Sequence, residues 1–179
     1  MNYRSRVDGE SDERFDTGAC GGESASTVAR EGATLAVGRD VAVPPAVAAE
    51  ALRDTRTWPD WGPAIDGVES DDRYVTRGTT GRVRVGGAWV PFRVTACNGR
   101  RWDWRVAGLP ATGHRVDSYA GDPDRSRVVV EVPALAAWYV PVCRRALDRF
   151  AALVEGGKGD LSRDESSDDG SRTAVDGDN

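Results

Sequence analysis

Residues 82–94 read Arg82-Val83-Arg84-Val85-Gly86-Gly87-Ala88-Trp89-Val90-Pro91-Phe92-Arg93-Val94. Apolar and polar residues alternate on both sides of a glycine pair, the pattern of two strands that each bury one face and are joined by a tight turn. Both positions of such a turn take positive φ, which glycine adopts without steric cost. The alternation recurs in Tyr74-Val75-Thr76 before it, and afterwards in Trp102-Asp103-Trp104-Arg105-Val106, His114-Arg115-Val116-Asp117 and Val128-Val129-Val130-Glu131-Val132. Asn98-Gly99 is a second hairpin turn, whereas Gly108-Leu109-Pro110-Ala111 and Gly121-Asp122-Pro123-Asp124 read as longer connections. Links this short join antiparallel neighbours, because a parallel pair needs a crossover of a dozen or more residues. Residues 66–132 are therefore predicted to form a six-stranded antiparallel meander.

The flanks complete the fold. Residues 34–43 are β-rich and stop at Pro44-Pro45. A proline in a first helical turn gives up an N–H that has no partner there anyway, so Ala46 to Asp54 reads as a short helix. Trp58-Pro59-Asp60-Trp61-Gly62-Pro63 has room for one helical turn or a tight turn. From Leu135 to Glu155 apolar residues at Leu135, Tyr139, Val142, Ala146, Phe150 and Leu153-Val154 keep helical spacing, with Gly156-Gly157 as the expected stop. Pro141 means that this helix either kinks or starts near Trp138 with Pro141 in its first turn. A single-layer sheet with one long helix to cover it must curl around that helix, and glycines in and between the strands permit the bends. The expected class is α+β: a helix-grip fold, a curved seven-stranded antiparallel sheet wrapped around a long C-terminal helix, with one or two short helices after strand 1. A cavity between sheet and helix is the by-product.

This order of elements, and particular words within it, resembles the SRPBCC superfamily (START-like, helix-grip) in its polyketide cyclase/dehydrase-like branch. The matching residues are Val43-Pro44-Pro45-Ala46 with Ala51-Leu52 and Asp54, and Trp58-Pro59-Asp60-Trp61-Gly62-Pro63. Gly81 and Val83, Trp102-x-Trp104-Arg105-Val106-Ala107-Gly108, Gly113-His114-Arg115-Val116 and Val132-Pro133 before the long helix match as well. The resemblance covers residues 33–156. It implies a hydrophobic ligand pocket between sheet and helix and no shared catalytic residues, since members differ in chemistry or have none.

Charge is concentrated outside that span. Residues 1–32 carry four basic and seven acidic side chains and residues 157–179 three and seven, leaving 33–156 with a net charge of +2. Both flanks are rich in Gly, Ser and Asp and lack the apolar area that repays ordering, so 1–32 and 157–179 are expected to be disordered acidic tails. Of 24 basic residues all but Lys158 are Arg, a bias that salt adaptation or a GC-rich genome would each produce. The arginines of the middle are scattered among acids in sequence, without the basic stripe that counterion release requires of a nucleic-acid binder. Cys20, Cys97 and Cys143 are odd in number and far apart, which argues against a disulfide framework and against a metal site, with one histidine to help. No run has the roughly 18 apolar residues of a membrane span, and the N-terminus has no secretory pattern. A soluble, cytoplasmic protein without a cofactor is expected.

His114 is the sole histidine, so any imidazole acid–base chemistry would use it; the competing reading is a hydrogen-bonded structural side chain. Cys143 neighbours Val142 on the apolar side of the last helix and is expected to be packed rather than nucleophilic. The pocket is expected to be lined by Val90, Phe92, Val94, Trp102, Trp104, His114, Val116, Tyr139 and Val142, with Trp58 and Trp61 at its mouth. The tryptophans could equally fill the space as core. The primary expectation is a carrier or sensor of a small hydrophobic or amphipathic, lipid- or polyketide-like molecule, with His114 and Tyr139 orienting it. One alternative is a cyclase/dehydrase-type enzyme with His114 as general acid or base and Tyr139 or an Arg polarising a carbonyl. The other is an interaction module that uses the acidic tails. Oligomeric state is left open.

Overall fold

The computed structural model describes residues 25–164, with side chains to Gly157. Eight strands form one antiparallel sheet: β1 (Thr27–Glu31), β2 (Thr34–Val41), β3 (Gly67–Ser70), β4 (Thr80–Val85), β5 (Ala88–Cys97), β6 (Arg101–Val106), β7 (Leu109–Tyr119) and β8 (Asp122–Pro133). Their spatial order is β1-β2-β8-β7-β6-β5-β4-β3. Between β2 and β3 lie α1 (Pro45–Arg53) and the single turn α2 (Trp58–Trp61), and the chain closes with α3 (Val140–Asp164). The fold is a helix-grip, as the alternation predicted. Among the described residues no helix is long and apolar enough to cross a membrane.

The sheet differs from expectation in three places. It has eight strands rather than seven, because Thr27–Glu31, expected in the N-terminal tail, pairs along β2 and is tied down by Arg115 bonded to Glu31. Residues 157–164 of the expected C-terminal tail continue the last helix, and 1–24 and 165–179 lie outside the described residues. Tyr74-Val75-Thr76 is not a strand; its place is taken by Gly67–Ser70. The Arg73 guanidinium grips Asp54 Oδ2 at 2.9 and 3.0 Å, while Thr55 N–H bonds to Arg73 O and Val75 N–H to Arg53 O. Those bonds hold the segment against the end of α1, and Val75 drops into the core. The connections at 108–111 and 121–124 are two-residue turns, Ala107-Gly108 and Ala120-Gly121, so Leu109 and Asp122 already pair. Ala107 and Gly108 both have positive φ (51° and 79°), the geometry of a primed turn.

The last helix resolves the Pro141 alternatives. Residues Ala134–Tyr139 form a 3-10 segment, and α3 begins at Val140 with Pro141 in its first turn. The proline therefore costs no hydrogen bond. Gly156-Gly157 does not end the helix: neither residue takes the positive φ of a C-terminal glycine stop, and the helix continues to Asp164. Cys143, Ala146, Leu147, Phe150, Ala151 and Val154 form its buried face. They pack with Val37, Val41, Val128, Val130 and Val132 of β2 and β8 and with Ala48, Ala49 and Leu52 of α1.

On the outward face of the sheet Glu131 is almost wholly buried. Arg101 meets both its oxygens at 2.8 and 2.5 Å, and Arg115 bonds one of them while its far side reaches Glu31. One carboxylate thus links β6, β7 and β8, and through Arg115 the edge strand β1. Gly113 lies beneath it, where a Cβ would come within 2.9 Å of Glu131 Oε2.

Candidate functional site

Four tryptophans, one histidine and two phenylalanines meet where β5–β7 face α2 and α3. The Trp102 indole stacks with two rings: Trp58 lies parallel to it at 5.3 Å and the His114 ring nearly so at 4.0 Å. Trp104 stands edge-on to Trp58, Trp102 and Phe92, and Trp61 edge-on to His114 and Phe150. Proline and tryptophan in the short α2 turn place Trp58 and Trp61 pointing inward from above the sheet, while alternation along β6 puts Trp102 and Trp104 on its inner face. Offset stacks and edge contacts of this kind each add about 0.5–1.5 kcal/mol beyond burial.

Beside this cluster lie two neighbouring spaces. The inner chamber, of about 50 Å³, is walled by Trp61, Trp102, Trp104, Thr112, His114 and Cys143. The outer pocket, of about 310 Å³, is walled by Val83, Val106, Ala111, Pro133, Ala136 and others. Ala64, Ile65, Trp104, Thr112 and Tyr139 border both. A cavity of roughly 150 Å³ holds benzene, so the outer pocket has room for a ligand of about two rings, at the small end of ligand sites. The chain neighbours of Pro110, Ala136 and Tyr139 in its wall include apolar residues facing solvent: Leu109, Leu135 (99% exposed) and Trp138 (76% exposed). A larger, more open groove of about 480 Å³ runs between α1 and the C-terminal part of α3, past Glu50, Asp54 and Arg73. Its walls are as apolar as those of the outer pocket, and its greater openness makes it the poorer trap for an oily molecule.

Of the residues expected to line the pocket, Trp102, Trp104, His114, Tyr139 and Val142 border these spaces. Phe92, Val94 and Val116 are buried in the core instead, and Val90 packs against it. Trp58 and Trp61, expected at the mouth, are interior side chains on the inner wall. The physical reason is volume: the tryptophans fill the middle of the sheet, and the larger apolar space beside them lies towards the end where β8 turns into the 3-10 segment. Ala111 and Thr112 lie in residues 108–113, which read as a loop in sequence, and Ile65 and Ala136 are not among the positions that carry a strand or helix pattern. Alternation carried back from His114 would have put Thr112 on the same face.

The polar groups are few. Trp58 Nε1–H bonds to Leu52 O, and Trp104 Nε1–H bonds to Thr112 Oγ1 at 3.3 Å. Thr112 Oγ1 lies 3.4 Å from His114 Nε2. Burial away from any charge drives His114 down to about 3, so its ring is neutral at physiological pH. Burial likewise pushes the Cys143 thiol up to about 12 and raises Tyr139. Neither a ready base nor a thiolate faces the chamber. Among the described residues no three His, Cys, Asp or Glu side chains converge on a point that would hold a metal ion. The outward face of β4–β6 gathers Arg82, Arg84, Arg93 and Arg105, with Arg93 directly across from Arg105 and Glu69 paired to Arg82. Pairing across strands thus brings together arginines that are scattered in sequence.

A sheet closed on one C-terminal helix, with apolar space held between them, defines the helix-grip class. The chain belongs to the polyketide cyclase/dehydrase and lipid transport family, an SRPBCC-type family whose pattern matches residues 32–155. Solved structures share the fold. XoxI from Bacillus cereus is 14% identical, with 73% of this chain and 98% of that one covered and a TM-score of 0.53. A protein from Arthrobacter aurescens is 10% identical, with 73% and 91% covered and a TM-score of 0.54. Ms6760 from Mycobacterium smegmatis is 16% identical, with 74% and 99% covered and a TM-score of 0.52. No curated protein sequence matches the chain.

Proposed function

We propose that this protein binds a small hydrophobic or amphipathic molecule in the outer pocket and acts as its carrier or sensor, without turnover. The observation that carries this reading is the apolar pocket of about 310 Å³ between β4, β6–β7 and the 3-10 segment ahead of α3. Burial at about 25 cal/mol per Å² of apolar surface supplies the affinity. Membership of a family described by lipid transport as well as cyclase and dehydrase activity supports a ligand-binding role. The site chemistry favours binding over catalysis. A general base works best with a pKa near the working pH, and His114 is far below it, with Nε2 facing the Thr112 hydroxyl.

Two measurements test the proposal. Native mass spectrometry of protein purified directly from its host is expected to show a retained mass of a few hundred daltons, in keeping with a pocket for about two rings. Titration with naphthalene-sized probes is expected to change tryptophan emission, because Trp104 borders both spaces. No retained mass together with unchanged emission for every probe would overturn it.

A further inference from the structure

Three buried polar atoms around the inner chamber have no hydrogen-bond partner among the described residues: Trp61 Nε1, Trp102 Nε1 and His114 Nδ1. All three side chains are more than nine-tenths buried. The two indole nitrogens can only donate. Trp104 Nε1–H donates to the Thr112 hydroxyl, which also lies 3.4 Å from His114 Nε2. In the tautomer in which that hydroxyl donates to Nε2, the ring proton sits on Nδ1 and adds a third donor. The side chains that wall the chamber thus hold two indole N–H donors without a partner, joined by a third on His114 in that tautomer.

We propose that this chamber takes the hydrogen-bond-accepting head of the ligand, an uncharged carbonyl or similar oxygen, while the ligand's apolar body fills the outer pocket. The inference rests on the ligand-binding reading above and adds a chemical class to it. The size fits: about 50 Å³ admits a group little larger than a water molecule, whose share of liquid volume is about 30 Å³. The charge fits as well. Neither a cation nor a carboxylate borders the chamber, so a charged head of either sign would lose its hydration without a counter-ion.

The test uses three probes of one size on the whole protein: 1-tetralone, its hydrocarbon counterpart tetralin, and the anion 1-naphthoate. Tetralone is expected to bind about tenfold or more tighter than tetralin, the worth of one or two buried hydrogen bonds, and naphthoate more weakly than tetralone. In ¹⁵N-resolved NMR, tetralone but not tetralin is expected to shift the Trp61, Trp102 and His114 N–H signals, the last on Nδ1. His114→Phe and Trp61→Phe, which keep an aromatic ring, are expected to reduce tetralone's advantage over tetralin. If tetralin and tetralone bind equally, or naphthoate binds best, the acceptor-head inference is overturned while the pocket reading stands. If none of the three binds, both are overturned.

Discussion

His114 carries its environment into solution behaviour. Its native ring resists protonation down to about pH 3, whereas in an unfolded chain histidine titrates near 6.5. Above about pH 6.5 neither state holds the extra proton and the group is silent. Below it the unfolded chain takes up a proton that the native ring refuses, so stability falls as pH falls, by about 1.4 kcal/mol per pH unit until the native value is reached. His114→Phe removes that proton. In urea titrations the variant is expected to gain on the wild type steadily between pH 6.5 and 4; a constant difference would mean that the ring is not held neutral. Gly81 is the second residue with a sharp consequence. A Cβ there would lie 2.7 Å from the Phe92 ring and collide with the Glu69 carbonyl, and Phe92 is fixed between Trp58 and Trp104. Gly81→Ala is expected to lower unfolding free energy by about 1–3 kcal/mol in chemical denaturation.

Among the elements, β6, β7 and β8 are joined by a buried carboxylate and β3 and β4 by an exposed one, which makes a controlled comparison. Arg101→Leu leaves Glu131 to Arg115 alone and is expected to cost about 1–3 kcal/mol, since a buried charge loses two of its donors. Arg82→Leu breaks only the solvated contact with Glu69 and is expected to stay within about 1 kcal/mol. Equal losses in thermal unfolding would show that the burial of Glu131 does not set its worth. The 3-10 segment before α3 follows another logic. Pro141 fixes where the α-helix can begin, and the residues ahead of it are left to wind more tightly beside the outer pocket, with Leu135 and Trp138 outward and Ala136 and Tyr139 inward.

For the molecule as a whole, aromatic packing and ligand space compete for one interior. The tryptophan stack occupies the centre of the grip, and the larger apolar room beside it lies at the end where β8 passes into the 3-10 segment. Occupying that room is therefore expected to abolish uptake without unfolding the protein. Ala136→Phe is expected to keep the melting temperature within a few degrees while removing the fluorescence response to tetralin. Retained binding would place the ligand elsewhere, with the groove between α1 and α3 as the next site to test.

By itself the sequence determined the antiparallel meander, the helix after Pro44-Pro45, the α2 turn, the long C-terminal helix and hence the helix-grip class. Period-2 and period-3.6 patterns and turn glycines are local, and they state which faces must be buried. Local pattern also put Trp102, Trp104, His114 and Tyr139 on inward faces. The tertiary structure alone decided which inward residues meet space and which meet each other, because that depends on how side-chain volumes from distant elements add up. Trp58 from α2 covers Trp102 of β6, and Phe92 and Val116 are consumed by the core. Likewise, Arg73 reaching Asp54 took residues 74–76 off the sheet, and pairing with β2 brought in residues 27–31. Those are contacts between positions far apart in the chain, and no local period encodes them.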